Sequence, residues 1–304
     1  MPMLQCIHLS TREEQSIPPK TVLCLGNFDG VHLGHRALLR RAIELRGDKH
    51  PEAATAVFCF RTPSTDTLSP TPHLSTLSQK LDLFAECGIE YVVLGDFPTM
   101  RELTPEEFIT DVLLAECHAV AAVCGFNYRF GKGGKGTSVT LSRGIEDVAV
   151  VPEYKALGDT VSSTRIRRLL FNGNAHDAAM LLSRPYSIAS EIVHGKALGQ
   201  KMGIPTINQS IPAPLLVPRH GVYITDCEID GLRYRGITNV GVHPTVDEDA
   251  TVNCETHLLD CNEDLYGKLC RVSFLEFLRP EQKFSSIEPL KEQIARDIDA
   301  ARNY

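Results

Sequence analysis

Hydrophobic residues in the first half of the chain form short runs, and longer segments with helical spacing separate them. These runs and segments alternate along the chain in the order 21–25, 36–45, 54–60, 77–87, 91–95, 105–114 and 119–124. Short apolar strands that alternate with helices are typical of parallel strands joined by crossovers. We therefore expect an α/β fold with a doubly wound parallel sheet in this half.

The pattern changes after Arg184, where short segments of alternating polarity are interrupted by glycine and proline. These segments are 186–194, 221–229, 232–240, 254–259 and 270–277. Many short strands separated by turn residues favour an antiparallel barrel or sandwich. The last segment, 288–304, repeats apolar residues at helical spacing and predicts an amphipathic helix packed on that barrel. We therefore predict two domains, 1–183 and 184–304.

Length and charge agree with two globular domains that handle small molecules. The chain has 304 residues, of which 43% are hydrophobic and 23% charged, and its formal net charge is −7. A length above 300 exceeds the usual size of one domain. A net negative charge argues against nucleic acid as the main partner.

The ten cysteines are scattered, with no CxxC pair and no Cys/His spacing typical of zinc sites. Several lie inside apolar runs, so we expect buried free thiols in a reducing cytoplasm. We recognise no signal peptide at the N-terminus and no apolar stretch of membrane-spanning length. The expected location is therefore cytoplasmic, with no membrane association.

The strongest local motif is Gly26-Asn-Phe-Asp-Gly-Val-His32-Leu-Gly-His35, at the point where a buried strand turns into a helix. Glycines there allow close approach of phosphates, and the helix N-terminus favours anions. The imidazoles of His32 and His35 suit phosphate oxygens on which charge develops during transfer. The same segment also fits a strand–turn–helix connection in which the histidines only cap the helix.

Two further segments of the first domain suit an anionic nucleotide. Ser163-Thr164-Arg165-Ile-Arg167-Arg168 places three arginines in the first turns of a predicted helix, where cations oppose the helix dipole. An anionic ligand would resolve that conflict, and a solvated basic face is the alternative. The glycine-rich loop 125–136 formally contains GxGxxG but does not directly follow a strand, so only its Asn127 neighbourhood suits a nucleotide.

The second domain opens with Gly195-Lys-Ala-Leu-Gly199-Gln-Lys201-Met-Gly203-Ile-Pro205-Thr206-Ile-Asn208. Three regularly spaced glycines make a loop able to wrap phosphates, and a plain glycine-rich turn fits equally well. Thr206 and Asn208 are two residues apart, so their side chains point the same way in a strand and can complete a Mg²⁺ shell. Downstream, Glu255 is expected to face the barrel interior and to accept a proton from a substrate hydroxyl; a solvated carboxylate is the alternative.

The first-domain motifs resemble those of bacterial bifunctional riboflavin kinase/FAD synthetases, in the same order along the chain. That resemblance implies a nucleotidyltransferase-type domain at 1–183 that adenylylates FMN with ATP to give FAD and pyrophosphate. It implies that His32 and His35 stabilise the transition state at the α-phosphate. The residues implied to bind ATP and FMN are Gly26, Phe28, Asp29, Gly30, Gly34, Asn127, Ser163, Thr164 and Arg167.

The second domain resembles the riboflavin kinase part of that family, from Arg184 to the C-terminus. The resemblance implies a six-stranded antiparallel barrel that phosphorylates riboflavin to FMN, with Glu255 as the base and with Thr206 and Asn208 binding Mg-ATP. The residues implied to bind ATP or flavin are Gly195, Gly199, Lys201, Gly203, Pro205, Thr206 and Asn208. It implies small-molecule partners (riboflavin, FMN and ATP), and we expect a monomer or a weak homo-oligomer.

Two positions depart from the family pattern. The run that ends at Pro63 lacks the usual histidine, and Gln200 stands where the family generally has arginine. Three alternatives therefore stay open: a chain in which only the kinase is efficient, a flavin-binding regulator without catalysis, and adenylylation of another phosphate ester. The intact His32, Glu255 and Thr206 argue against the regulator, and the third alternative leaves the second domain unexplained.

Overall fold

The computed structural model describes residues 4–9, 17–61, 71–195, 203–242, 252–261 and 263–304. The chain forms two compact units, Met1–Ser162 and Ser163–Tyr304. The units divide before the predicted boundary at 183/184 because two helices that follow Ser162 pack with the barrel. The assignment of functions to 1–183 and 184–304 stays a prediction.

The first unit is built on a six-stranded sheet in which every pair of neighbouring strands is parallel. Its strands are β1 (Gln5–His8), β2 (Thr21–Leu25), β3 (Ala54–Phe60), β4 (Tyr91–Gly95), β5 (Ala119–Gly125) and β6 (Asp147–Val151). Their order across the sheet is β1-β4-β3-β2-β5-β6. The predicted doubly wound parallel sheet is confirmed.

Helices cover both faces of this sheet. They are α1 (Leu33–Lys49), α2 (Leu77–Glu86), α3 (Phe97–Met100), α4 (Pro105–Glu107), a π-helix (Phe108–Glu116), a 3₁₀ turn (Lys132–Gly134) and α5 (Ser138–Gly144). Alternate residues of β2 enter different cores: Val22 and Cys24 pack against α1 and α2, and Leu23 and Leu25 pack against the π-helix and α5. A strand buried on both faces explains the continuous apolar run at 21–25.

The strand order reverses between β2 and β5. From β2 the chain moves outward through β3 to β4, and it then returns to place β5 on the other side of β2. The ends of these two strands are neighbours, since Cys24 pairs with Val123 in parallel register. Ligands of open α/β sheets bind at the carboxyl ends of strands at such a reversal. The motif that begins at Gly26 and the segment around Asn127 both start there.

The second unit contains a six-stranded antiparallel sheet in the order β10-β13-β12-β11-β14-β9. Its strands are β9 (Tyr186–Glu191), β10 (Ile207–Ser210), β11 (Gly221–Ile229), β12 (Leu232–Val242), β13 (Val252–Leu258) and β14 (Leu269–Arg279). A bridge between Val193 and Asn208 joins the two edges and nearly closes the sheet. The predicted six-stranded barrel is therefore confirmed. A short hairpin of β7 (Lys155–Ala156) and β8 (Asp159–Thr160) precedes the barrel in the sequence and belongs to the first unit.

The described residues of the second unit include the helices α6 (Ser163–Phe171), α7 (Ala175–Leu182) and α8 (Ile287–Asn303). The end of α6 is hydrogen-bonded to the segment that precedes β11, since the Arg219 backbone N–H donates to the Leu170 carbonyl at 3.0 Å. Ile294 and Ile298 of α8 pack on the barrel residues Val222 and Ile224, as the apolar face of 288–304 predicts.

Several local predictions differ from the structure. The helix predicted at 105–114 begins as α4 and continues as the π-helix to Glu116. The strands β1 and β6, at the two edges of the parallel sheet, were not predicted because their runs are short and carry polar residues. Within the described residues, no helix has the length and hydropathy needed to cross a bilayer.

Candidate active sites

The loop between β2 and α1 has an unusual backbone that its sequence permits. Phe28, Gly30 and Val31 all have positive φ, at 52°, 82° and 40°. The Phe28 ring folds back over Gly26, where an added Cβ would lie 3.1 Å from the ring. Close approach therefore favours glycine at position 26, and two non-glycine residues in the left-handed region mark a loop held by its surroundings.

The side chain of Asp29 holds this loop against the segment that precedes α2. Its carboxylate accepts from the Leu74 backbone N–H at 2.9 Å, and the Gly30 N–H donates to the Ser75 hydroxyl at 3.0 Å. Asp29 and Ser75 are both buried. Asp29 thus has a structural role in this arrangement, and its predicted contact with the nucleotide stays a prediction.

His32 is the N-cap of α1, and His35 lies one turn later. The His32 Nδ1 accepts from the His35 backbone N–H at 3.3 Å, and the two rings stack with centroids 3.6 Å apart and planes 14° apart. An added Cβ at Gly34 would lie 3.2 Å from the His32 ring, so this glycine leaves room for the stack. Because Nδ1 accepts, the neutral His32 ring carries its proton on Nε2.

His35 lies beside buried aromatic and cationic groups. The Phe28 side chain is completely buried with its ring 5.1 Å from that of His35, and its predicted contact with the nucleotide or FMN stays a prediction. Burial, with His32 and Lys80 nearby, holds the pKa of His35 well below its ordinary value. A neutral His35 offers a hydrogen bond and no net charge, and its buried Nδ1 has no hydrogen-bond partner among the described residues.

The remaining residues predicted for this site lie in two places. Asn127 follows β5 directly and is exposed, as is Phe126 beside it. Ser163, Thr164 and Arg167 lie at the start of α6 in the second compact unit, where Arg167 is half-buried. Their role in binding the nucleotide stays a prediction.

The second site is centred on Glu255 in β13. The Thr206 hydroxyl donates to Glu255 Oε1 at 2.7 Å, and Glu255 pairs directly with Asn208 of β10. The expectation that Glu255 faces the barrel interior is wrong. Its neighbours Cys254 and Thr256 are completely buried and point inward, so alternation along the strand places Glu255 on the other face.

A row of polar groups crosses three strands on this face. Glu255 pairs with Asn208 on one side and with Asn239 of β12 on the other. Asn239 donates from Nδ2 to Glu281 Oε1 at 3.0 Å. On the opposite face, the buried Thr238 hydroxyl forms 2.8 Å hydrogen bonds with the hydroxyls of Thr225 and Thr256, and these bonds support the strand register beneath the row. The sequence analysis did not assign Asn239 to the site.

The Asn208 side chain lies directly over the backbone of Gly195. A Cβ added at Gly195 would lie 2.6 Å from Cγ of Asn208, so any larger residue would have to displace the Asn208 side chain. Gly203 has φ of 77° and Pro205 accepts at its carbonyl from the His257 ring nitrogen at 2.8 Å. Gly199, Gln200 and Lys201, like Pro63, lie outside the described residues.

A cavity of about 490 Å³ adjoins this row, a size that suits one small-molecule ligand. Its lining includes Gly195, Thr206 and Asn208, together with Leu258, Leu265 and Tyr266. The Tyr266 ring stacks on that of His194 with centroids 3.7 Å apart. The cavity therefore combines apolar and aromatic side chains with the polar groups of Thr206 and Asn208 and with the acidic residues Glu263 and Asp264.

Comparisons with known proteins match two successive parts of the chain to two family models. Residues 14–165 match the family model described as FAD synthetase, and residues 182–304 match the one described as riboflavin kinase. The bifunctional riboflavin kinase/FMN adenylyltransferase of Escherichia coli K12 is 36% identical over 93% of this chain and 92% of its own length. The protein of the same name from Listeria monocytogenes is 32% identical, with the same coverage of both chains.

A solved structure confirms the fold over the whole chain. A crystal structure from Streptococcus pneumoniae, described as a macrolide-efflux protein, superposes with a TM-score of 0.90 at 30% identity and covers 98% of this chain and 99% of that one. Its described function differs from that of the sequence relatives, so it is used for the fold alone. The two family matches and the coverage of the relatives show that this chain belongs to the bifunctional riboflavin kinase/FMN adenylyltransferase family.

Proposed function

We propose that the chain phosphorylates riboflavin to FMN in its second domain and adenylylates FMN to FAD in its first, with one ATP consumed at each site. The observation that carries this proposal is a separate set of phosphate-handling groups in each part of the chain. His32 and His35 lie at a helix N-terminus on the parallel sheet, and Thr206, Asn208 and Glu255 lie together on the barrel.

In the kinase step, the 5′-hydroxyl oxygen of riboflavin attacks the γ-phosphorus of ATP, and the bond to the β,γ-bridging oxygen breaks to release ADP. Glu255 takes the hydroxyl proton, because a carboxylate among neutral amides and hydroxyls is the base that this row of residues offers. The apolar and aromatic walls of the adjoining cavity suit the flavin ring or the adenine.

Thr206 and Asn208 fit a divalent cation that arrives with the nucleotide. The Thr206 hydroxyl donates its hydrogen bond to Glu255, so the lone pairs of its oxygen can face a cation. Among the residues that the structure describes, no three His, Cys, Asp or Glu side chains cluster as a metal site, so phosphate oxygens would supply most of the ligands. When bound, Mg²⁺ would neutralise charge on the transferred phosphoryl group.

In the adenylyl step, a phosphate oxygen of FMN attacks the α-phosphorus of ATP, and the bond to the α,β-bridging oxygen breaks to release pyrophosphate. The nucleophile is already an anion, so no base is needed and catalysis depends on position and on stabilisation of developing charge. The N–H of His32 at Nε2 and the first-turn N–H groups of α1 suit that task. Asn127, Ser163, Thr164 and Arg167 are proposed to bind the phosphates.

A time course with purified protein tests the proposal. Riboflavin, ATP and Mg²⁺ are incubated with the protein, and flavins are resolved by chromatography. We expect FMN first and FAD later, with no FMN when EDTA replaces Mg²⁺. Formation of FMN without FAD would support the kinase activity alone. Absence of both products would favour the flavin-binding regulator. Size-exclusion chromatography of the same sample tests the expected monomer or weak oligomer.

A further inference from the structure

Lys80 is a buried cation on the apolar face of α2. Its residue surface is only 5% exposed, and its helical neighbours at positions −3, +3 and +4 are Leu77, Leu83 and Phe84. Lysine is almost never buried to this degree without a partner. The position therefore calls for a specific reason.

The protein itself supplies little to compensate this charge. The ammonium group donates to the Asn27 carbonyl at 3.5 Å, a long contact, and no carboxylate bonds to it among the described residues. A buried ammonium with one weak neutral acceptor costs free energy that its surroundings do not return. Such a site is completed by an anion.

The surroundings of Lys80 supply a second, independent sign of a missing ligand. Asn27 belongs to the loop between β2 and α1, and Lys80 is close enough to His35 to lower the pKa of that imidazole. The His35 Nδ1 is buried and has no partner among the described residues. A buried polar atom without a partner and a buried cation with one long hydrogen bond thus lie, among the described residues, beside the loop that carries the proposed α-phosphate site.

We propose that Lys80 binds the phosphate chain of ATP in the adenylyl step and neutralises the charge that passes to the departing pyrophosphate. This inference rests on the proposed function. His32 and His35 offer hydrogen bonds, whereas Lys80 brings a net positive charge from the buried face of α2. When the bond from the α-phosphorus to the α,β-bridging oxygen breaks, its electron pair goes to pyrophosphate, and the ammonium of Lys80 holds that anion by hydrogen bonds without transferring a proton.

Lys80→Met tests this, because methionine keeps the length and the apolar stem and removes the charge. FAD formation from added FMN should fall roughly a hundredfold, the usual cost of one electrostatic group at a transition state. In the reverse reaction of FAD with pyrophosphate, the KM for pyrophosphate should rise about tenfold or more while the KM for FAD stays within about twofold. Lys80→Arg should retain part of the activity.

Two controls separate binding from structure. The thermal midpoint of Lys80→Met should equal or exceed that of the wild type, because an unpaired buried charge has been removed. Lys20→Met removes an exposed ammonium that pairs with Glu52, and it should leave both activities unchanged. Riboflavin kinase activity should persist in every variant.

The outcomes are distinct. Lys80→Met protein that makes FAD at the wild-type rate would overturn the inference and leave the proposed function intact. A lower thermal midpoint with parallel loss of FAD formation and an unchanged KM for pyrophosphate would assign Lys80 to structure alone. Wild-type protein that makes no FAD from FMN would overturn the proposed function itself, and the role of Lys80 with it.

Discussion

The Thr206 hydroxyl donates a 2.7 Å hydrogen bond to Oε1 of Glu255, and this bond joins the proposed cation ligand to the proposed base. It fixes the threonine oxygen with its lone pairs turned away from the carboxylate. A single contact thus orients both groups of the kinase site.

Replacement of Thr206 tests that relationship. Thr206→Val keeps the shape and removes the hydroxyl, so FMN formation should fall roughly 10–100-fold, as for the loss of a group that orients a metal site. Thr206→Ser keeps the hydroxyl and should retain most of the activity. Initial rates at several Mg²⁺ concentrations check this; equal rates for the valine and serine variants would remove Thr206 from the site.

The capping role and the catalytic role of His32 can be separated by two substitutions. Asparagine is a good N-cap and alanine a poor one, so His32→Ala should lose about 1 kcal/mol of stability and His32→Asn should lose less than about 0.5 kcal/mol. Both lack the imidazole, and both should form FAD roughly a hundredfold more slowly. If His32→Asn retained full FAD formation, the ring would serve only as a cap.

Gly195→Ala should impair the kinase through Asn208. The added Cβ would collide with the Asn208 side chain and displace it, and a misplacement of about 1 Å can cost roughly a hundredfold in rate. Gly47→Ala is the matched control, because no atom lies within 4 Å of its added Cβ. It should leave both activities unchanged. Unchanged FMN formation by Gly195→Ala would exclude Asn208 from the site.

The low pKa of His35 predicts that acid destabilises the protein. The folded pKa lies below the ordinary value near 6.5, so the unfolded chain takes up more protons as the pH falls below that value. As the pH falls below about 6.5, the free energy of unfolding should decrease by up to about 1.4 kcal/mol per pH unit until the pH reaches the pKa of His35 in the folded protein. Thermal midpoints from pH 7.5 to 5 should fall less for His35→Gln than for the wild type. His176→Gln, which replaces an exposed histidine, should follow the wild type.

The sequence predicted the parts of the fold whose patterns are long and regular. The buried strand at 21–25 and the helix that packs Ile294 and Ile298 on the barrel were both predicted, because burial requires apolar residues at fixed periods. The edge strand β1 was missed because polar residues interrupt its apolar run, and β6 was missed because its apolar run, 148–151, is only four residues long.

The sites show a similar limit. The spacing of Thr206 and Asn208 predicts that their side chains lie on the same face. The face on which Glu255 lies depends on which residues of β13 enter the barrel, and the sequence of β13 alone does not decide this. Lys80 was missed, although a signal exists in the sequence. It interrupts the apolar face that Leu77 and Phe84 define, and a lysine at the centre of such a face is a candidate for function.

The central claim is that two independent sites act in succession, and mixing two inactivated chains tests it most directly. Glu255→Gln should not phosphorylate riboflavin but should convert added FMN to FAD, and His32→Asn should accumulate FMN. Neither alone should make much FAD from riboflavin. Equal amounts of the two, given riboflavin, ATP and Mg²⁺, are predicted to produce FMN and then FAD. A mixture of folded chains that forms no FAD would contradict two separate sites.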